Sequence, residues 1–448
     1  MAPNERERSA AQALLDFIDG APSPWHAAAS MMARLEVHGF QPLDERAPWE
    51  LEPNRGYYVL RDGSSLIAFR TGDGDVARHG FRGVGAHTDS PGFRIKPSPV
   101  KRRHGLATLG AEVYGGPILA TFADRDLTLA GRVLLRDPQT GDVTPRLFHR
   151  PEAMLRLPNL AIHMNRTVNT DGLKYDLQDE LPLILGTLCS ELPDQDAFRE
   201  LLAGSLAVAP EAVRSWELAV ADTQPGAFFG MDREYIADSQ LDNLASCHAG
   251  LEALVTDRGG DAWPGVRLIA CFDHEEIGSR SFKGAESPLL PDTLERIAEN
   301  FGVSGAAYRQ ALNRSLILSA DMAHASHPNF ARYYDEEHAP QLNGGPVIKI
   351  NANQRYSTDG VAEAVFESLC QEMDVPAQRY VHRNTLPCGS TIGPITAGRM
   401  GIRCADVGNA MWSMHSLRES AGAADHDRMI RVMAHFFSRE RLPIADGL

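Results

Sequence analysis

Aromatic residues are scarce in this chain, at 7% of 448 residues, and so are cysteines, of which there are six. Cys189, Cys247, Cys271, Cys370, Cys388 and Cys404 form no Cys-x-x-Cys pair, so neither a thiolate metal cluster nor a dithiol redox motif is expected. They read as buried thiols in a reducing compartment. No run of about 18 apolar residues occurs, which excludes a membrane-spanning helix. Met1 to Arg8 is polar and charged and lacks the apolar core of a signal peptide. A cytoplasmic location is the expectation. Positive charge is also short: 44 Lys and Arg stand against 59 Asp and Glu, a formal net charge of −15. That argues against nucleic acid or an anionic membrane as partner. An acidic substrate would need a local positive site.

What is present is an ordinary globular composition, 43% hydrophobic and 23% charged, long enough for two domains or one large domain with an insertion. Residues 5–19 have helical periodicity, and Ser23-Pro24 opens a second helix to about Leu35. Tyr57–Leu60, Asp62-Gly63 and Leu66–Phe69 read as a hairpin, and Phe81–Ala86 as a short strand. From about 95 to 232, short β-like runs broken by turns dominate, with helical periods at 180–190 and 196–204. From about 235, helices and apolar strands alternate: helix 242–256, strand 266–272, helices in 291–313, strand 315–320, strand 346–351, helix 360–373, helix 391–400, strand 402–407 and helix 424–438. This alternation predicts an α/β fold with a mostly parallel sheet flanked by helices. The β-rich stretch reads as an insert. No internal repeat is found.

The most informative segment is Asp273-His274-Glu275-Glu276, directly after the apolar run Val266–Phe272. Ligands of open α/β sheets bind outside the carboxyl ends of strands. Adjacent side chains there point in different directions, so one carboxylate can hold a metal while the other faces a water. Other ligand types fall at similar places. His87 and Asp89 follow strand 81–86, Asp242 opens a helix, Asp321 follows strand 315–320, and His415 lies beyond strand 402–407. His87, Asp242, Glu276, Asp321 and His415 would suit two zinc ions sharing a carboxylate. Each has a plainer reading alone: a core histidine, a helix cap, an Asx turn, a loop histidine. The argument rests on their joint placement. His274, His324 and His327 are set aside as ligands.

Several motifs stand in order along nearly the whole chain. They include Ser23-Pro24-Trp25-His26-Ala27, Gly85-Ala86-His87-Thr88-Asp89-Ser90-Pro91, Glu112-Val113-Tyr114-Gly115-Gly116-Pro117, Leu157-Pro158-Asn159-Leu160-Ala161-Ile162-His163 and Leu241-Asp242-Asn243. They continue with Asp273-His274-Glu275-Glu276-Ile277-Gly278-Ser279, Ser319-Ala320-Asp321-Met322-Ala323-His324, Pro387-Cys388-Gly389-Ser390-Thr391-Ile392-Gly393-Pro394 and Met414-His415-Ser416-Leu417-Arg418-Glu419. Each is weak alone; in this order they resemble the aspartyl aminopeptidase family, di-zinc exopeptidases with vacuolar aminopeptidase I as a relative.

The resemblance implies a di-zinc exopeptidase fold, with residues 1–95 and 233–448 as the catalytic domain and 96–232 as an inserted β-rich assembly domain. It implies one zinc on His87, Asp321 and bridging Asp242, and another on Asp242, Glu276 and His415, with Co2+ or Mn2+ able to substitute. Glu275 would be the general base, and Asp89 would orient the His87 imidazole. The substrates would be peptides with a free N-terminus, beginning with Asp or Glu. Lys349 would meet the acidic side chain, His324 would line that pocket, and backbone from Gly389 to Gly393 would cradle the substrate. Lys349 also reads simply as a sheet-edge lysine. His163 would sit near a neighbouring subunit's site in a homo-oligomer, a tetrahedral dodecamer. Ser239-Gln240 departs from an arginine common before Leu-Asp-Asn, and Ala120 and Phe122 from histidine and tryptophan in the strand before Asp124. Alternatives stay open: a neutral-residue aminopeptidase, a carboxypeptidase or N-acyl amino-acid deacylase on the same metal site, or a non-catalytic assembly protein.

Overall fold

The computed structural model describes residues 2–187, 194–256 and 263–444. A nine-stranded sheet runs in the order Gln41–Leu43, Gly56–Arg61, Ser65–Arg70, Val266–Phe272, Phe81–His87, Leu316–Ala320, Arg403–Gly408, Val347–Ile350, Gln378–Val381. Its central four strands, from Val266–Phe272 to Arg403–Gly408, are mutually parallel. The flanks are mixed, but five of the eight pairings in the sheet are parallel, so it is mostly parallel as expected. The tight turn through Asp62 forces Gly56–Arg61 and Ser65–Arg70 to run antiparallel, and Val347–Ile350 opposes Arg403–Gly408.

The central strands are buried on both faces, as their unbroken apolar runs predict. Alternation sorts their side chains. From Val266–Phe272, Ile269 and Cys271 pack toward the helices Leu241–Thr256 and Asp425–Ser438, while Leu268, Ala270 and Phe272 pack toward Leu289–Asn300. Both Cys247 and Cys271 are buried free thiols. Apart from the 180–190 period, the expected helices are present, Glu5–Asp19 with a capping box from Asn4 and Glu7. Ser23 precedes the helix Pro24–Val37 but does not cap it; its hydroxyl pairs with His26 Nδ1 at 2.7 Å.

A second, antiparallel sheet runs Val143–His149, Leu127–Arg136, Val213–Asp222, Gly92–Arg103, Leu106–Tyr114, Leu183–Gly186, over its own apolar core. The helical period at 180–190 is corrected: Leu183–Gly186 pairs with the Leu106–Tyr114 edge, and buried Leu181 and Leu183 alternate as a strand does. Residues 188–190 lie outside the described residues. The 196–204 period is the helix Asp194–Leu206, whereas Leu119–Phe122 is a 3-10 turn and not a strand. A third sheet, which the sequence did not foretell, joins Ala227–Phe229, Tyr235–Asp238, Glu419–Gly422, Ala410–Trp412 and Ala323–His324. Among the described residues no helix is long and apolar enough to cross a membrane.

Candidate metal centre

Three adjacent parallel strands, Val266–Phe272, Phe81–His87 and Leu316–Ala320, end at one edge of the large sheet. They deliver Glu275 and Glu276, His87, and Asp321 to the same place. Asp242 reaches it from the start of Leu241–Thr256, where Asp242 and Asn243 have non-helical backbone angles. His415 comes from the connection between Ala410–Trp412 and Glu419–Gly422. Ligand atoms of His87, Asp242 and Asp321 lie within 4.8 Å of one another, as do those of Asp242, Glu276 and His415. The two groups share Asp242, and Glu275 joins His87 and Glu276 in a third.

The hydrogen bonds prepare these groups for cations. His87 Nδ1 lies 3.0 Å from the Asp89 carbonyl oxygen, and His415 Nδ1 lies 3.0 Å from the Gly116 carbonyl oxygen. A carbonyl only accepts, so each Nδ1 carries the proton and each Nε2 presents a lone pair. His87 Nε2 faces Asp242 Oδ1 at 3.3 Å and Asp321 Oδ1 at 3.7 Å. His415 Nε2 faces Asp242 Oδ2 and Glu276 Oε2, each at 3.4 Å. Acceptors then point at acceptors, and buried Asp242 Oδ1 has no hydrogen-bond partner. This donor set, nitrogen and oxygen with no sulfur, fits divalent zinc.

Protonation is the alternative when no cation is present, and the electrostatics reflect it. Burial alone disfavours the charged His87 imidazole, but the Asp242, Asp321 and Asp89 carboxylates close around it outweigh that and hold its pKa well above the usual range. Burial opposes the Asp242 carboxylate too, yet the His415 and His87 contacts hold its pKa below normal. Burial, then neighbouring carboxylates, pushes Glu275 up to about 8 and Glu276 well above the ordinary value.

The Asp89 carboxylate lies 3.5 Å from His87 Nδ1, farther than the same residue's carbonyl. It accepts from the backbone N–H of Glu275 at 3.0 Å and of Glu276 at 3.1 Å, and from the Tyr114 hydroxyl at 2.6 Å. It therefore fixes the turn that aims both glutamates. Glu419, which sequence reasoning passed over, does the same on the other side. Its carboxylate accepts from the N–H of Asp242 at 3.0 Å and of His415 at 2.7 Å. No spacing signal marks it; only folding brings residue 419 beneath residue 242.

Lys349 is 2% exposed, with Nζ 3.4 Å from Asp321 Oδ2 and 3.3 Å from the Met322 carbonyl oxygen. It is no sheet-edge lysine, because Val347–Ile350 is flanked on both sides. His324 packs against Tyr380 and His382, and burial together with Lys349 and His382 lowers its pKa to about 4. Gly393 is buried against Asp406; a Cβ there would stand 2.4 Å from Asp406 Oδ2, so only glycine fits. Gly389 is exposed, its carbonyl accepting from Arg355 Nε at 3.2 Å. His163 is exposed on the β-rich segment, outside the three ligand groups. His274 Nδ1 pairs with Ser281 Oγ at 2.8 Å and His327 Nδ1 accepts from Asn329 N–H at 3.2 Å, so both serve local structure.

An α/β sheet bearing paired imidazole–carboxylate groups around one shared aspartate, at the carboxyl ends of its central strands, is the architecture of a metallohydrolase. The model of the family described as Aminopeptidase I zinc metalloprotease (M18) matches residues 17–437. The chain is 47% identical over 438 residues to the "Probable M18 family aminopeptidase 2" of Ectopseudomonas mendocina (strain ymp), covering 96% of this chain and 99% of that protein. Among solved structures it is similar to a chain in the cryo-EM structure of the Ape4 and Nbr1 complex, with TM-score 0.92, 36% identity, and 98% of this chain and 87% of that one covered. It is also similar to the S. cerevisiae mApe1 dodecamer, with TM-score 0.85, 26% identity and 96% of each chain covered. The chain belongs to the M18 family of zinc aminopeptidases.

Proposed function

We propose that this enzyme removes N-terminal Asp or Glu from peptides, holding one zinc on His87, Asp321 and Asp242 and a second on Asp242, Glu276 and His415. The observation that carries the two-ion reading is Asp242: both of its oxygens face imidazole nitrogens, and one has no hydrogen-bond donor. Zinc bound there supplies Lewis acidity toward a water and a carbonyl. Co2+ or Mn2+ would be accepted by the same nitrogen and oxygen donors. Glu275 takes the proton of the attacking water on its carboxylate and returns it to the leaving amine. Asp89 and Tyr114 hold Glu275 in place through its backbone.

Lys349 supports the acidic preference. It is a buried cation beside the ligand groups, and its ammonium has three donors, of which two have partners in Asp321 and Met322. The Tyr356 ring lies 5.2 Å from the ammonium, so a substrate carboxylate would take the third donor by displacing that contact, with neutral His324 beside it. The test is a panel of aminoacyl 4-nitroanilides with Asp, Glu, Leu, Ala and Lys, with added zinc, cobalt or manganese. Fast cleavage of Asp and Glu alone is expected, and Lys349→Met should cost about 10-fold or more in kcat/KM on those two. Faster cleavage of Leu or Ala would remove the acidic pocket and leave a neutral-residue aminopeptidase.

The β-rich residues 96–232 read as an assembly domain. Leu160, Ile162 and Met164 beside His163 are 63%, 48% and 75% exposed, an apolar patch that a neighbouring subunit would cover. A tetrahedral dodecamer, with His163 reaching a neighbour's site, is the form we assign. Light scattering should give a dodecamer's mass, and Met164→Asp should shift the population to smaller species.

A further inference from the structure

A cleft of about 810 Å³ opens directly from the two glutamates, and it is not the Lys349 side of the site. Glu275 and Glu276 form one end. Arg280, Arg355, Arg399 and Ser390 stand along its walls, and neither Lys349 nor His324 reaches it. The charges are unevenly matched. Arg280 pairs with Glu286 at 3.4 Å. Arg355 spends Nε on the carbonyl oxygens of Cys388 and Gly389, at 3.3 and 3.2 Å. Neither Arg355 nor Arg399 has a carboxylate partner among the described residues. The cleft lining carries three glutamates and three arginines, and Arg355 and Arg399 are exposed guanidiniums that no carboxylate among the described residues neutralises, in a chain of net charge −15.

The position of Glu275 gives the cleft a direction. On the reading above, Glu275 hands its proton to the leaving amine, so the leaving segment must lie where Glu275 opens. We propose that this cleft receives the leaving segment of the substrate, and that Arg355 and Arg399 bind a carboxylate on it. That carboxylate is either the free C-terminus of a dipeptide or tripeptide, or the side chain of an acidic second residue. A planar guanidinium fork matches either one. The enzyme would thus favour short or doubly acidic peptides over long neutral ones. This inference rests on the aminopeptidase reading.

The test keeps the first residue fixed as the one best cleaved from its 4-nitroanilide, called X, and varies the leaving side with full-length, zinc-loaded enzyme. X-Ala free acid, X-Ala amide and X-Glu amide are compared by kcat/KM. An advantage of about 10-fold over X-Ala amide is expected for one or both carboxylate substrates, the sort of gain charge-assisted hydrogen bonds give. A gain for X-Ala acid alone identifies the C-terminus as the ligand; a gain for X-Glu amide alone identifies the side chain. In Arg355→Gln/Arg399→Gln the ratio should fall to near one, through KM, with Arg355→Lys retaining part of it. Both arginines are exposed, so the variants should melt as the wild type does. Equal rates on all three substrates, or a ratio untouched by the double variant, would overturn the subsite while leaving the aminopeptidase intact. Hydrolysis of N-acetyl-X-Ala with none of the nitroanilide would overturn the aminopeptidase reading, and this inference with it.

Discussion

Glu275→Gln is expected to lower kcat by about 10²–10⁴-fold, the range attributable to a positioned acid–base group, with zinc content unchanged. Glutamine preserves the shape and a hydrogen-bonding oxygen but cannot take up a proton. The backbone anchor survives, because Asp89 holds the N–H of Glu275 and not its side chain. The zinc ligands assigned above do not include Glu275, so metal should stay. The separation is what makes the variant informative. Glu276→Gln, by contrast, alters an assigned ligand and should lose zinc along with rate. Zinc content by mass spectrometry and kcat on the same sample decide the matter. Near-normal turnover in Glu275→Gln would remove Glu275 from the role of base.

Stripping the metal should abolish hydrolysis and lower Tm by on the order of 5–10 °C, since a ligand that binds only the folded state adds about 4 kcal/mol at a thousandfold excess over Kd. The loss should grow with pH, and its sign follows from the metal-free site. Burial, then the neighbouring carboxylates, raises Glu275 to about 8. Burial, then Asp242, also raises Glu276 and Glu419. A carboxyl whose folded pKa lies above the unfolded value of about 4.3 contributes its full stability below that value. It loses that contribution as pH climbs through the folded pKa. His87, raised as well, is lost in the same direction. Asp242 is lowered, so its contribution is already complete above about 4 and does not offset the trend. The metal-free protein should therefore weaken steadily from pH 5.5 to 8.5. The zinc-loaded protein should weaken less, because bound cations would hold the ligands Glu276 and His87 deprotonated and would lower the pKa of Glu275 and Glu419 beside them. Thermal melts of both forms at pH 5.5, 7.0 and 8.5 should show the gap in Tm widening. A gap that narrows would contradict the crowded-carboxylate account.

Much of the fold was legible because local signals were strong. The Glu5–Asp19 helix, the 56–70 hairpin and the strand Val266–Phe272 sit where periodicity and turn residues put them. Failures came where pairing partners overrode local pattern. Leu183–Gly186 is short and apolar, and a run of that length cannot tell strand from helix until an edge is offered to it. The pairing of Ser65–Arg70 with Val266–Phe272, and the third sheet, in which Tyr235–Asp238 pairs with Glu419–Gly422, depend on contacts between residues about two hundred positions apart.

The site divides in the same way. The sequence alone determined which ligand-type residues follow apolar strands, because burial of a parallel strand writes a continuous hydrophobic run and its end is plain to read. His87, Glu275, Glu276 and Asp321 are of that kind. Only tertiary structure decided that Glu419 secures Asp242 and His415, and that Lys349 is a buried cation beside Asp321. It also decided that Arg355 and Arg399 share a cleft with Glu275. Those relations join residues up to 177 positions apart. Their energies depend on distance and burial, and neither quantity has a trace in the order of residues along the chain.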